Sequence, residues 1–373
     1  MSDESLIEEF QDSPLRDVVK PPAIIKTLQR EIKRLCDVAE VPLIKKSPNQ
    51  SIHRRQVETV ETSRKKSEEP LLFRNTSGSD PAASPRRWLF KKYSTSPYVV
   101  IPPNTLVVRT GNRLELSLLS DFCYGLSSQN SIQSLDISNN WITSEGTRRY
   151  FAQAIKTCTF LQTLILAKND IRYSGMIALS QSLKELTGLT HLSLADNQIG
   201  DAGVEVLALS TPALSMLKYL DLSLNKISSN GLLQWIVSDV GALPSLTYLG
   251  IASNSFLLGG SRALVNILTE RRSTLVELDI GGRCGAYNRI GSEGIKALMA
   301  GFFWTPLTTL DLSNNDLGSD GIKSFATAFS IHTTLLSLNL KGNHMGFHGM
   351  RSLVGMLVKH SRLTRLDVSD NNL

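Results

Sequence analysis

The sequence predicts an α/β solenoid, short parallel strands alternating with helices, preceded by a largely disordered N-terminal arm. Three observations predict it. A pattern L-x-x-L-x-L-x-x-N-x-I recurs along most of the chain, one copy falling on Leu189, Leu192, Leu194, Asn197 and Ile199. Its first apolar position lies at Ile132, Leu161, Leu189, Leu217, Leu246, Leu275, Leu307, Leu335 and Leu363, in steps of 28 or 29 residues with one step of 32. Six residues after each of the first eight asparagines of the pattern stands a glycine: Gly146, Gly175, Gly203, Gly231, Gly260, Gly294, Gly321 and Gly349. A fixed period of this length marks an array of stacked supersecondary units, and it overrides the division into ordinary domains that 373 residues would otherwise suggest.

Each part of the repeat has a physical reason. Leucines at alternate positions turn one face of a short strand inward, and the strand stacks in parallel on its neighbours. The chain then turns where water does not reach its backbone. The asparagines Asn140, Asn169, Asn197, Asn225, Asn254, Asn288, Asn315, Asn343 and Asn371 are expected to form a buried ladder there, because a side-chain amide both donates and accepts. The glycine is expected to let the following helix start or approach without a Cβ clash. One repeat cannot bury its own apolar face, so stability comes from stacking.

The segments NQIGDAG, NRIGSEG and NDLGSDG match N-x-(I/L)-G-(D/S)-x-G. On these motifs the chain resembles the ribonuclease-inhibitor-like class of leucine-rich-repeat proteins, over roughly residues 104 to 373. The resemblance implies a right-handed, curved solenoid with parallel strands on the concave face and helices on the convex face. It is specific for fold and poor for function, since the class spans inhibitors, GTPase activators, immune receptors and cytoskeletal proteins.

In chain order, residues 1–20 are polar and expected to be disordered. Residues 21–42 open with Pro21-Pro22, place Ile25, Leu28, Ile32, Leu35 and Ala39 at alternating spacings of 3 and 4, and end at Pro42. That is an amphipathic helix, free to dock on the solenoid or on a partner. Residues 43–100 form a basic, Ser/Pro-containing linker with 12 Lys/Arg against 5 Asp/Glu, so the basicity of a chain of net charge +6 is concentrated in this part of the arm. Ser84, followed by Pro85-Arg86-Arg87, and Ser67, preceded by Arg64-Lys65-Lys66, fit kinase sites; phosphate there would reverse much of the local charge. The motif Arg86, Arg87, Trp88, Leu89, Phe90, Lys91, Lys92 either anchors in a partner or packs on the first repeat. Residues 101–131 are expected as a cap or degenerate repeat, with Asn112 and Leu114 in the ladder positions and Leu116, Leu118, Leu119 and Phe122 on its helix. Residues 132–373 then hold nine repeats, the last incomplete. Stopping before a helix leaves an edge that further chain or a second copy would cover.

Composition excludes several classes. The four cysteines, Cys36, Cys123, Cys158 and Cys284, are scattered without a CxxC pair, which points to a reducing compartment and away from zinc. MSDESLIEEF is not a signal peptide, and no apolar run approaches the ~18 residues of a membrane span. Neither a Walker loop nor H-E-x-x-H occurs, and His344 and His348 lack a third ligand. No cofactor, metal, catalysis or small-molecule substrate is expected. The expected location is the cytoplasm, including cytoskeleton or cilium, with the nucleus open.

The strand positions between the leucines should form two columns on the concave face. One reads Ser134, Thr163, His191, Tyr219, Tyr248, Glu277, Thr309, Ser337 and Arg365; the other reads Asp136, Ile165, Ser193, Asp221, Gly250, Asp279, Asp311, Asn339 and Asp367. His191, Tyr219, Tyr248 and Glu277 beside Asp221 and Asp279 make a candidate protein-binding patch. An insertion after Ile280, GGRCGAYNRI, adds Arg283 and Tyr287 at the strand-to-helix edge. The expected function is a non-enzymatic scaffold or adaptor that binds a protein through this face, with the basic arm as second contact. Any nucleic-acid or membrane contact would fall to the arm. A Ran-type GTPase activator and a NOD-like immune regulator stay open as alternatives that use the same repeats.

Overall fold

A computed structural model describes residues 104–373 apart from 110, 112, 129–130, 240–242, 270–273, 284, 303–304, 331–333 and 360–361. The expected disorder of 1–20, the helix at 21–42, the linker at 43–100 with Ser67, Ser84 and the Arg86–Lys92 motif, and the positions Asn112 and Cys284 lie outside the described residues.

Ten strands pair in strict chain order in one sheet. They are β1 Thr105–Val107, β2 Ser134–Asp136, β3 Thr163–Ile165, β4 His191–Ser193, β5 Tyr219–Asp221, β6 Tyr248–Gly250, β7 Glu277–Asp279, β8 Thr309–Asp311, β9 Ser337–Asn339 and β10 Arg365–Asp367. Every pairing is parallel. Between them run α1 Leu116–Ser127, α2 Thr143–Gly146, α3 Ala152–Ile155, α4 Arg172–Leu183, α5 Gly200–Ala208, α6 Ser229–Asp239, α7 Leu257–Thr269, α8 Gly291–Phe302, α9 Gly318–Phe329 and α10 Gly346–Lys359. A π-helical stretch, Thr147–Phe151, joins α2 to α3. Strands ~4.8 Å apart backed by helices ~10 Å across give the open sheet its curve, with the strands inside.

The apolar pattern becomes the core directly. The middle leucine of each interior strand, from Leu135 to Leu338, is at most 1% exposed, and the next apolar position, from Ile137 to Leu340, is wholly buried. Segment 101–131 contributes its own strand, β1, in register with β2. Its helix α1 buries Leu119, Cys123 and Leu126, while Leu118 is exposed. The buried set follows the i, i+4, i+7 spacing of one helical stripe, which Leu116 and Leu118 together cannot share.

The asparagine ladder is continuous through most of the sheet. Oδ1 of Asn169 accepts from the backbone N–H of Asn140 at 3.0 Å, and the same bond joins Asn169 to Asn197, Asn197 to Asn225, Asn225 to Asn254 and Asn254 to Asn288 at 2.9–3.0 Å. It resumes from Asn315 to Asn343 and from Asn343 to Asn371 at 2.9 Å. Between these runs Oδ1 of Asn315 is buried without a partner among the described residues. The insertion is the cause: Asn288 lies eight residues from the carbonyl of Ile280 to which it donates, where Asn225 lies three from that of Leu222.

Three residues past each asparagine the backbone often turns left-handed, at Gly200, Gly291, Gly318 and Gly346, but also at Thr143 with φ 66°. A β-branched residue is strained in that region. Thr143→Asn, which tolerates that region and keeps an acceptor for the Gly146 N–H that the Thr143 hydroxyl now receives at 3.3 Å, is therefore expected to stabilise the fold by about 0.5 kcal/mol, read as a raised midpoint in urea unfolding. An unchanged or lowered midpoint would contradict it.

Candidate binding site on the concave face

Register alone brings three ring-bearing side chains into line. His191 pairs with Tyr219 and Tyr219 with Tyr248 across β4, β5 and β6. The rings of Tyr219 and Tyr248 stack with centroids 4.1 Å apart and planes 6° from parallel; His191 continues the stack at 5.7 Å and 20°. His191 is exposed and both tyrosines are half-buried, so the rings cover one another's faces and a rigid sheet holds the edges of the stack toward the concavity. Glu277 is the next residue in the same column and is exposed.

Protonation keeps this surface uncharged near neutrality. Burial, with the cation of Lys218, lowers the pKa of His191, whose Nδ1 lies 2.9 Å from the Thr190 hydroxyl. Burial and then the charge of Asp221 raise Tyr219; burial, then Asp279, Tyr219 and Asp221, raise Tyr248 well beyond the usual phenol range.

The acidic column has a structural cause as well as an outward face. Oδ1 of Asp136, Asp221, Asp311 and Asp367 accepts the backbone N–H of the serine two residues on at 2.9–3.0 Å, and Asp279 accepts that of Gly281 at 3.2 Å. That bond secures the turn at the end of the strand, which accounts for the recurrence of Asp before Leu/Ile-Ser. The second oxygen faces the concavity. It forms an ion pair with Arg109 at Asp136 and with Arg283 at Asp279, and accepts from Nδ2 of Asn339 at 2.9 Å at Asp311.

The insertion folds back toward this column. Arg283 and Ala286 form an antiparallel bridge, with N–H···O bonds of 3.1 and 3.0 Å, around Gly285 at φ 77°. The Arg283 backbone N–H donates to the Ser253 hydroxyl at 2.6 Å. Its guanidinium, half-exposed, sits on Asp279 in the field of Asp311, Tyr248 and Asp221. Tyr287 is 40% exposed and lies against Gly282, where a Cβ would come within 2.5 Å of its ring. The structure thus brings together His191, Tyr219, Tyr248, Asp221, Asp279 and Arg283, with Glu277 beside them and Tyr287 over Gly282.

Sequence reasoning missed two participants. A Cβ on Gly250 would lie 2.8 Å from Oδ1 of Asp221 and 3.0 Å from the Tyr248 hydroxyl, so this glycine makes room for the phenol to lean across its own strand. Its signal was readable, as the one glycine in the column. Asp311, a register step past Asp279, was read as part of the column but not of the patch.

Burial sets Asp279 apart. It raises the pKa to about 6; Arg283 opposes that, and Asp311 and Asp221 add to it. A carboxyl that binds its proton more tightly folded than unfolded adds stability as pH falls through about 6, the gain being complete below the unfolded value of 3.8. Asp136 has the opposite sign. Burial raises its pKa, but the bonds from Arg109 and Ser138 win and lower it, so its contribution is lost as pH falls through the lowered value. The wild type should therefore gain thermal stability relative to Asp279→Asn between about pH 7 and about pH 5. A constant difference in Tm would contradict this.

Among the described residues no group of three or more His, Cys, Asp or Glu side chains is placed to hold a metal ion, and no helix is long and apolar enough to cross a membrane. Cys123 and Cys158 are buried free thiols; burial pushes the first up to about 12 and raises the second.

A model of the Leucine Rich repeat family matches residues 128–147, 157–180, 185–208, 213–233, 305–326 and 332–354. Residues 234–304, between two of these segments, include Tyr248, Gly250, Glu277, Asp279 and the insertion. No curated protein matches the chain significantly.

Proposed function

We propose that this chain, a leucine-rich-repeat protein by its repeats and its sheet, is a non-enzymatic adaptor that binds a protein partner on the concave face at His191, Tyr219 and Tyr248. Solenoids of this kind generally serve as protein-interaction modules. The observation that carries the reading is the half-exposed Tyr219–Tyr248 stack, set in register on adjacent strands of an open sheet. Large, rigid aromatic side chains are enriched among the residues that dominate the energy of a protein interface. Among the described residues no loop covers the open sheet to exclude water, which disfavours acid–base chemistry by the same carboxylates.

The basic arm, residues 43–100, supplies a second contact in this proposal. Joining two contacts by a linker raises the effective concentration of the second, and phosphate on Ser67 or Ser84 would weaken an arm that works by positive charge. A cytoplasmic setting within a cytoskeletal or ciliary assembly suits such a scaffold.

The test is affinity capture with mass spectrometry, comparing the full chain with Tyr219→Ala/Tyr248→Ala. Truncating a hot-spot aromatic costs about 2 kcal/mol or more, so partners of the concave face should be depleted by about 30-fold while the Tm of the solenoid changes little. Capture of the same partners at undiminished yield would refute the reading.

A further inference from the structure

We propose that the concave site takes an arginine of a basic segment in its partner, the guanidinium lying against the His191–Tyr219–Tyr248 stack and pairing with Asp221. The inference rests on the partner-binding reading and gives that partner its chemistry.

The acidic column singles out one carboxylate. Asp136 is paired with Arg109, Asp279 with Arg283, and Asp311 accepts from Asn339; Asp367 lies in the field of Lys341. Asp221 has Ser193 and Gly250 as its register neighbours, and among the described residues it forms no ion pair. Among the described residues only its Oδ1 is bound, to the Ser223 N–H. It stands beside the tyrosine stack, close enough for its charge to raise both phenols.

A second observation is independent of that count: the chain already seats a guanidinium on this face. Arg283, half-exposed, rests on Asp279 in the field of Asp311, Tyr248 and Asp221. Asp221 is the corresponding strand position two register steps away, on the far side of Gly250. Around it the strands β5 to β8 carry Asp221, Glu277, Asp279 and Asp311 on the concave face, where Arg283 is seated on Asp279 and Lys218 lies near His191. A cation is therefore favoured over an anion. A guanidinium is favoured over an ammonium because its planar edge donates in a fork to a carboxylate, and the chain's own cation on this face, Arg283 on Asp279, is of that kind.

The test uses the full chain and three fluorescent Gly/Ser peptides of one length that carry arginine, lysine or citrulline at the same positions, read by anisotropy at about 0.1 M salt, where long-range attraction is screened beyond ~10 Å. The arginine peptide should bind at least about threefold tighter than the lysine peptide and about tenfold tighter than the citrulline peptide. Asp221→Asn and Tyr219→Leu should each weaken the arginine peptide by about tenfold, and Glu205→Gln, an exposed position on α5, should leave it unchanged. Equal binding of arginine and citrulline, or an Asp221→Asn variant that binds as the wild type does, would overturn the proposal. So would an equal loss with Glu205→Gln, which would mean diffuse attraction. If the peptides fail while capture by the full chain still depends on Tyr219 and Tyr248, the binding face stands and only its arginine chemistry falls.

Discussion

Asn225→Ala should lower the unfolding free energy by about 3–5 kcal/mol, because several buried groups lose their partner at once. Its Nδ2 donates to the carbonyls of Leu194, Leu222 and Ser223 at 2.9, 3.0 and 3.1 Å, and its Oδ1 accepts the Asn197 N–H at 2.9 Å. All of this lies where the side chain is wholly buried, so water does not replace it. An unsatisfied buried backbone group costs ~1–3 kcal/mol, and bonds in one network are not additive, which sets the upper limit. Asn371 makes the same kind of bonds in the last described turn, where several flanking residues are exposed. Asn371→Ala should cost less than half as much in urea unfolding. Equal losses would mean that the ladder contributes composition but little stability.

Gly231→Ala should destabilise by about 3 kcal/mol through overpacking at a helix–helix contact together with a lost cap. A Cβ there would lie 2.8 Å from Cα of Asp201, a backbone atom of the preceding helix. The Asp201 carboxylate accepts the Ser228 N–H at 2.7 Å and the Ser228 hydroxyl at 2.5 Å, tying α5 to the start of α6. The added methyl therefore strikes both the spacing and the cap. Gly355, also helical, has nothing within 4 Å of its would-be Cβ. Gly355→Ala should stabilise by about 0.5–1 kcal/mol on helix propensity and unfolded-state entropy. Opposite signs for two helical glycines, measured by chemical unfolding, would separate close approach from flexibility as the reason for the conserved offset within the repeats.

Much of the fold was legible because period and chemistry coincide. Leucine spacing gave the strands, and an amide that both donates and accepts gave the ladder, down to the bond from Asn197 to Asn225. The concave columns followed by counting, and the register places His191, Tyr219 and Tyr248 side by side as expected. What escaped depends on side-chain direction. A spacing cannot say that Arg283 turns back from its loop to reach Asp279. Nor can it say that the phenol of Tyr248 leans over Gly250. Asp221 and Asp279 of the acidic column were legible as part of the patch, yet one oxygen of each is spent on the turn that follows. Burial in three dimensions, not residue type, separates Asp279 from Asp311.

The most direct measurement of the central claim is site-specific photocrosslinking on the full chain. A photoreactive side chain at Thr309, on the concave column next to Glu277, is compared with one at Lys323, exposed on helix α9. The account predicts partner adducts from position 309 that disappear with Tyr219→Ala/Tyr248→Ala, and none from position 323. Adducts from position 323 alone, or adducts from 309 that persist in the tyrosine variant, would contradict it.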